Sequence, residues 1–367
     1  MTLLWKVQMN TYPYDMPPIF GGYNQKILQL FLFHDMIKIE KKCRKEELSM
    51  KNEVFDFYDP TSLKAYNLDK TMQYQLNILG SLDAFTRKHS ENVANLTCRI
   101  CEKLHCQKGF IEYCTICAYL HDIGKQFIPP EILQKPGKLT NEEYEVIKTH
   151  TTIGYKICMD DLKLRPYAAG PIYHHEALNG SGYPKGLQKK DIPYEGQIIR
   201  VADEYDAIVS KRQYKTHIGI TDTLKILIEN TKPLQEVAPS SALSVVSENV
   251  KLGKNNPIIV KALMSVVIED IEYEISCTLD YVKHLANEIK RLKEVQKYDE
   301  KRQKAKTEKK KNYYLEGMKI FLTPDEPLEQ YAILLEQYQT AYENRKKVID
   351  QLFDEIKIIK KMKHSSF

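Results

Sequence analysis

The sequence predicts an all-α protein, on three observations. Between about residues 65 and 232, apolar residues recur at helical spacing and show little of the alternation of a half-buried strand. Short Gly/Pro loops separate these periods. From about residue 257 onward, apolar residues repeat every seven positions over long stretches, the pattern of helices packed along a seam.

Taken in order, residues 1–64 hold Tyr, Pro, Gly and Lys in no clear repeat, with one candidate helix over 24–47; the role of this segment is unassigned. Helical periods follow over 93–104 and 110–120. Thr140 and Glu143 make a capping box that starts a helix through Tyr144, Ile147 and His150, which puts His150 on the apolar side. Pro233, Pro239, Ser240, Ser241 and Gly253 mark residues 233–256 as a loop or insertion.

A long helix is expected to begin near Pro257. In it Ile268, Ile275, Val282 and Ile289 recur by sevens, Ile271, Leu285 and Leu292 fill the partner positions, and Thr278 is the polar exception. A second helix is expected from Thr323 as cap, with Pro324 in its first turn and Glu326 closing the box. Its heptads run through Leu328, Leu335, Tyr342, Ile349 and Ile356, with Tyr331, Tyr338, Leu352 and Ile359 as partners and Arg345 as an interruption. The two seams can pack on each other as an antiparallel hairpin or against a second copy, and the two arrangements are compatible. A homodimer through these helices is expected, because a lone seam would leave too much apolar surface in water. Residues 290–311, rich in Lys and Arg, read as a solvated linker or helix surface. Tyr298 is the one aromatic among them, so nucleic-acid binding is not expected.

At 367 residues the chain exceeds the usual single domain, so a catalytic domain with appended segments is the natural organisation. Hydrophobic content of 43% and charged content of 28% are those of an ordinary globular protein, and a net charge of +5 singles out no partner. The most apolar stretch, 27–33, is far too short to span a bilayer and follows no secretory pattern, so a cytoplasmic protein without a membrane span is expected. Eight cysteines without dense spacing do not resemble a secreted disulfide scaffold. Cys98 and Cys101 form one CxxC and Cys114 and Cys117 another, a spacing that can hold zinc. Both pairs fall within helical periods and lack a Gly-rich knuckle, so buried core thiols are the better reading.

Chemistry concentrates in one span. His89, His121 with Asp122, His150, His174 with His175, and Asp203 offer imidazole and hard carboxylate, which suit iron, manganese or zinc. Ligands scattered over several helices are what a bundle needs when it builds a metal site from facing side chains. Two cations a few ångströms apart can share a hydroxide, lower its pKa and neutralise a phosphodiester, with Asp122 as the natural bridging carboxylate. Lys125, three residues beyond Asp122, can set its ammonium on a phosphate oxygen. The loop Gly180-Ser181-Gly182-Tyr183-Pro184 offers close backbone approach and one aromatic face.

His121-Asp122-Ile123-Gly124-Lys125, the isolated His150, His174-His175-Glu176 running into Gly182-Tyr183-Pro184, and Val201-Ala202-Asp203 resemble, in order and spacing, the HD-GYP domain, a branch of the HD phosphohydrolases. The resemblance covers about residues 65–275, interrupted at 233–256, and leaves 276–367 as a C-terminal helical, coiled-coil-like extension with its basic linker. It implies an HD-GYP helical bundle core and a phosphodiesterase that hydrolyses cyclic di-GMP, a bacterial second messenger, to pGpG or GMP through a metal-bridging hydroxide. It further implies His89, His121, Asp122, His150, His174, His175 and Asp203 as metal ligands and Lys125 as a phosphate contact. Arg212, Lys215 and, more weakly, Asp83 match substrate-binding positions, beside Gly182, Tyr183 and Pro184.

Three departures from the family pattern stand out. Phe85 occupies the position, one turn before His89, where trimetal members carry an acid; it cannot ligate, so two divalent ions, iron or manganese, are expected. Gln213 replaces the usual proline between Arg212 and Lys215, and Asn179 replaces an aspartate that serves the same turn. Two other functions stay open. One is hydrolysis of another cyclic dinucleotide or nucleotide. The other is a catalytically weak scaffold that binds the dinucleotide and signals through its coiled coil.

Overall fold

The computed structural model describes residues 84–209, 219–233, 252–324 and 326–366. The candidate helix at 24–47, the whole segment 1–64, Asp83, and Arg212, Gln213 and Lys215 lie outside the described residues. Those that are described form helices joined by short loops, with no named strand among them; one isolated bridge pairs Asn179 with Gln188. The expected all-α class is what the protein adopts.

Helix α1 (Ala84–Lys103) and α2 (Lys108–Leu120) pack against each other, and Ile100, Ile116 and Leu120 are buried. A 3-10 turn over Ile123–Phe127 follows, and then α3 (Asn141–Asp160). The capping box at α3 forms as expected: Glu143 N–H donates to Thr140 Oγ1 at 3.2 Å, and Thr140 N–H donates to Glu143 Oε2 at 2.8 Å. Gly124 is where the 3-10 turn touches α3, since a Cβ there would lie 2.0 Å from the His150 carbonyl oxygen. That contact brings the residues after α2 close to the middle of α3. The short α4 (Ala169–Tyr173), α5 (Tyr194–Val209) and α6 (Ile220–Glu229) complete the layer around this junction.

Helix α7 (Pro257–Gln303) runs 47 residues without a break, with Asn256 Oδ1 accepting from Ile258 N–H at its start and Pro257 in its first turn. Its N-terminal part joins the core against α1, where Arg99 pairs with Asp270 at 2.6 Å and Lys103 with Glu269. Its remainder pairs with α9 (Tyr331–Ser365). The two run antiparallel: Lys363 Nζ reaches Ser265 Oγ at 2.7 Å near one end, and Tyr331 Oη reaches Asp299 Oδ2 at 2.9 Å near the other. Ile268, Ile271, Ile275, Val282, Leu285, Ile289 and Leu292 are buried along this seam, and so is Thr278. From α9 come Leu335, Tyr342, Ile349, Ile356 and Ile359, joined by Phe353 where the heptad reading had Leu352.

One expectation here is corrected. The second C-terminal helix does not start at Thr323. Thr323 and Glu326 close their turn, but Pro327 comes next, and a residue before proline disfavours helical backbone, so a 3-10 turn intervenes and α9 begins at Tyr331. Of the two readings of residues 290–311, linker or helix surface, the structure shows helix surface for most of the stretch. Helix α7 continues to Gln303 and α8 (Glu308–Lys319) folds back on it, capped by Thr307, with Gly317 seated against the Tyr298 ring. The run of cations is the wet face of these helices, and the apolar positions beneath, Val295 and Met318, are fully buried.

All four cysteines of the two CxxC pairs are buried and free. None belongs to a potential metal-ligand cluster among the described residues. Burial pushes the thiol of Cys98 up to about 12, as expected for a core cysteine.

Candidate metal centre

The structure brings all seven expected ligand residues to one place. His121 caps the C-terminus of α2, and Asp122 comes directly after it at the start of the 3-10 turn. His150 comes from the middle of α3, His174 and His175 from the end of α4, His89 from α1, and Asp203 from α5. Their donor atoms fall into overlapping trios, each within 4.8 Å: His89, His121 and Asp203; His150, His174 and His175; and His121, Asp122 and His174.

Asp122 joins the two halves. Its Oδ2 lies 3.2 Å from His121 Nε2 and 3.7 Å from His89 Nε2; its Oδ1 lies 3.4 Å from His150 Nε2 and 4.0 Å from His174 Nε2. The side chain is fully buried, a costly place for a carboxylate unless opposite charge surrounds it. Burial would raise its pKa, yet His121 and Lys125 outweigh that and hold the carboxyl well below the usual range. Lys125 Nζ sits 2.5 Å from Asp122 Oδ2.

The imidazoles are turned by the backbone. His121, His150 and His174 each direct Nδ1–H at a carbonyl one turn earlier: Ala118 at 2.6 Å, Ile147 at 2.6 Å and Gly170 at 3.0 Å. A ring that donates from Nδ1 presents the lone pair of Nε2, so three Nε2 atoms aim at one volume. Burial presses the His150 pKa down to about 4, against the pull of the Asp122 charge, and presses His174 well below its usual value; both rings are therefore neutral, the form that binds metals. His121 Nε2 and Asp122 Oδ1 are buried atoms without a hydrogen-bond partner. Orphaned donors and acceptors in a native core call for an ion or water, and this set fits a divalent cation.

His89 differs. Its Nε2 lies 3.0 Å from Asp203 Oδ1, and its Nδ1 lies 2.7 Å from Asp206 Oδ2, which sequence reasoning had left without a role. Burial alone would lower the His89 pKa, but the hydrogen bonds to Asp203 and Asp206 raise it to about 10. A cation at that trio would take the place of this proton. Asn92 Nδ2 donates to the other oxygen of Asp206 at 3.1 Å. Asp206 stands three residues after Asp203 on α5, a spacing that puts both on one helix face.

The loop after His175 stands beside the cluster. The Tyr183 ring stacks on the His175 ring at 4.6 Å and 29°, and the Tyr183–Pro184 peptide bond is cis. Gly182 lies against the backbone of 175–177, where a Cβ would come 2.3 Å from Ala177 N, so its glycine serves the loop's own packing. Glu176, 1% exposed, holds the loop shut on itself by accepting from Lys185 N–H at 2.7 Å and Leu187 N–H at 2.8 Å. Arg200 NH1 reaches the His175 carbonyl at 3.2 Å. Asn179 Oδ1 accepts from Ser181 N–H at 3.1 Å, the turn expected of either Asn or Asp there. Phe85, on the first turn of α1, is 47% exposed and offers no ligand atom.

Comparison with known proteins agrees with this geometry. Residues 73–234 match the HD domain family. A cyclic di-GMP phosphodiesterase of Thermotoga maritima is 38% identical over 210 residues, covering 51% of this chain and 53% of the relative. The response regulator RpfG of Xanthomonas campestris pv. campestris, also a cyclic di-GMP phosphodiesterase, is 38% identical over 135 residues, covering 36% of each chain. The 3'3'-cGAMP-specific phosphodiesterase 1 of Vibrio cholerae is 32% identical over 151 residues, covering 41% of this chain and 35% of the relative. The chain thus spans between about a third and a half of the length of these relatives. Among the described residues no helix is long and apolar enough to cross a membrane. Within residues 73–234, the stretch that matches the HD domain family, the histidines and aspartates gather on facing helices and the Gly-Tyr-Pro loop stacks beside them.

Proposed function

We propose that this chain is a metal-dependent phosphodiesterase that hydrolyses cyclic di-GMP to pGpG, GMP or both. One observation carries the reading: the buried Asp122 carboxylate divides its two oxygens between two sets of imidazoles. That arrangement supports two divalent ions, with iron or manganese suiting the mixed imidazole and carboxylate donors. His89, His121 and Asp203 would hold one, His150, His174 and His175 the other, and Asp122 would serve both. Bound there, such ions lower the pKa of water and neutralise charge on a phosphodiester.

The chain's own groups do the rest. Lys125 keeps Asp122 ionised and brings a cation to the point where a phosphate oxygen would gain charge. The Nδ1–H bonds of His121, His150 and His174 keep the rings from rotating out of register. Gly182, Tyr183 and Pro184 border the cluster and give aromatic surface for a guanine. Asp83, Arg212 and Lys215 belong to the reading as substrate contacts, on sequence grounds alone.

The same pocket chemistry serves another cyclic dinucleotide, since the ions do not choose the base, and relatives from Vibrio cholerae are named as 3'3'-cGAMP-specific. The proposal includes a cytoplasmic enzyme with its catalytic unit over about 65–275 and a helical extension beyond it. It also includes a homodimer through α7 and α9. Their seams already cover each other, so a second copy would meet exposed side chains outside them, among which are Tyr273 and Tyr281 of α7 and Ile333 and Ile358 of α9.

The test is metal analysis of anaerobically purified protein joined to a hydrolysis assay. Two ions per chain and release of pGpG, both abolished in Asp122→Ala, are expected. Tight binding of cyclic di-GMP to metal-loaded protein with no linear product would overturn the enzyme reading in favour of a scaffold.

A further inference from the structure

Beside the imidazole trio stands an aromatic group that the metal chemistry does not use. Tyr144 on α3 meets the Tyr183 ring edge-on, with centroids 6.3 Å apart and planes at 80°. Lys148, one turn further along α3, holds its ammonium 5.0 Å from the Tyr144 centroid and 5.7 Å from that of Tyr183. Tyr183 in turn stacks on His175, so the group is continuous with the cluster. Tyr144 is 45% exposed, and a large aromatic ring left that open beside a buried charged cluster is surface available to a ligand. The Lys148 side chain is 27% exposed, and its partner Glu145, at 2.5 Å, is 69% exposed, so that ion pair is wet and easily exchanged.

We propose that Tyr144, Lys148 and Tyr183 form a purine-binding clamp that selects guanine at one end of the dinucleotide. This rests on the phosphodiesterase reading above and deepens it. The half-open Tyr144 ring supplies a π-face on which a base stacks whatever its identity, while Tyr183, stacked on His175, meets that ring edge-on and fixes the corner. Lys148 supplies the selectivity: guanine presents O6 and N7, both acceptors, whereas adenine puts an amino donor where O6 would be, and an ammonium has only donors to offer. Tyr144 and Lys148 sit on the helix that carries His150, so a base held there is fixed relative to the metal cluster by one rigid element.

The test is steady-state hydrolysis by full-length, metal-loaded protein of cyclic di-GMP, cyclic di-AMP and bis(p-nitrophenyl) phosphate, a diester without a base. For Tyr144→Ala, KM for cyclic di-GMP should rise about tenfold with kcat within about threefold, the scale of one lost stacking contact. Tyr144→Phe keeps the ring and should restore KM. Lys148→Gln should raise KM for cyclic di-GMP but not for cyclic di-AMP, narrowing the preference between them. Tyr155→Ala, an exposed tyrosine of the same helix, is the control and should change neither. If wild-type protein cleaves cyclic di-GMP but Tyr144→Ala leaves its KM in place, or Tyr144→Phe fails as Tyr144→Ala does, the clamp is wrong and the enzyme reading stands. If wild-type protein cleaves only the base-free diester, the cyclic dinucleotide reading itself falls.

Discussion

His89 Nδ1 lies 2.7 Å from Asp206 Oδ2, and that contact turns the ring so that Nε2 faces Asp203 and Asp122. The two residues are 117 positions apart in the chain. The other three oriented imidazoles rely on a carbonyl of their own helical turn; His89 relies on a charged side chain from α5.

Asp206 should therefore act as a positioning residue for the first trio. Replacing such a partner usually costs metal affinity about 10- to 100-fold. Asp206→Ala should weaken binding of one ion by that factor and leave the other, built from His150, His174 and His175, near wild type. Titration of metal-stripped protein with Mn2+, monitored by calorimetry, would resolve the two steps. Equal loss at both would mean that Asp206 supports the fold generally.

Glu176 should govern the Gly-Tyr-Pro loop. Its carboxylate takes two backbone N–H groups that have no other acceptor in the loop's own ladder. Glu176→Gln removes the charge and turns one acceptor into a donor, with an expected cost of about 1–3 kcal/mol. Because the loop carries Tyr183, KM for the dinucleotide should rise while bound metal remains at wild-type stoichiometry. Hydrogen exchange at Lys185 and Leu187 should accelerate in the variant, and unchanged exchange there would refute the loop-pinning role.

Arg291 and Glu326 should set the acid limit of the C-terminal hairpin. Two parallel bonds of 2.6 Å join them, and Arg291 also reaches the Phe321 carbonyl. Burial would raise the Glu326 pKa, but the Arg291 hydrogen bonds and the Thr323 N–H outweigh it and lower it from 4.5. A carboxyl depressed in the folded state is protonated first in the unfolded chain, so its stabilisation is present above about pH 4.5 and is lost as pH falls further. Glu326→Gln should cost about 1–3 kcal/mol at pH 7. The gap in Tm between variant and wild type should shrink as pH falls below about 4.5; a gap independent of pH would contradict the assignment.

How much of the molecule is legible in its sequence can be told from particular residues. His121-Asp122 and His174-His175 announce themselves because a ligand set must be written in residue types, and few sequences place so many imidazoles and carboxylates in one span by chance. The heptads of α7 and the capping box at Thr140 are equally open, since helical period and caps are local properties of the chain. The start of α9 is misplaced by sequence reasoning because a capping pattern begins a helix only where the next residues can continue it, and Pro327 interrupts the turn that Thr323 and Glu326 begin. The basic stretch over 290–311 leaves two readings open in the sequence, because charge marks the outer face of a helix as readily as a linker.

What the sequence by itself determined was the kind of chemistry and the class of fold, both carried by residue type and spacing. Only the tertiary structure decided that Asp122 faces both imidazole sets, that Asp206 orients His89, and that Tyr144 and Lys148 stand beside Tyr183. The reason is physical. Orientation, burial and contact between distant residues depend on how the helices pack, and packing is a property of the whole core rather than of any segment.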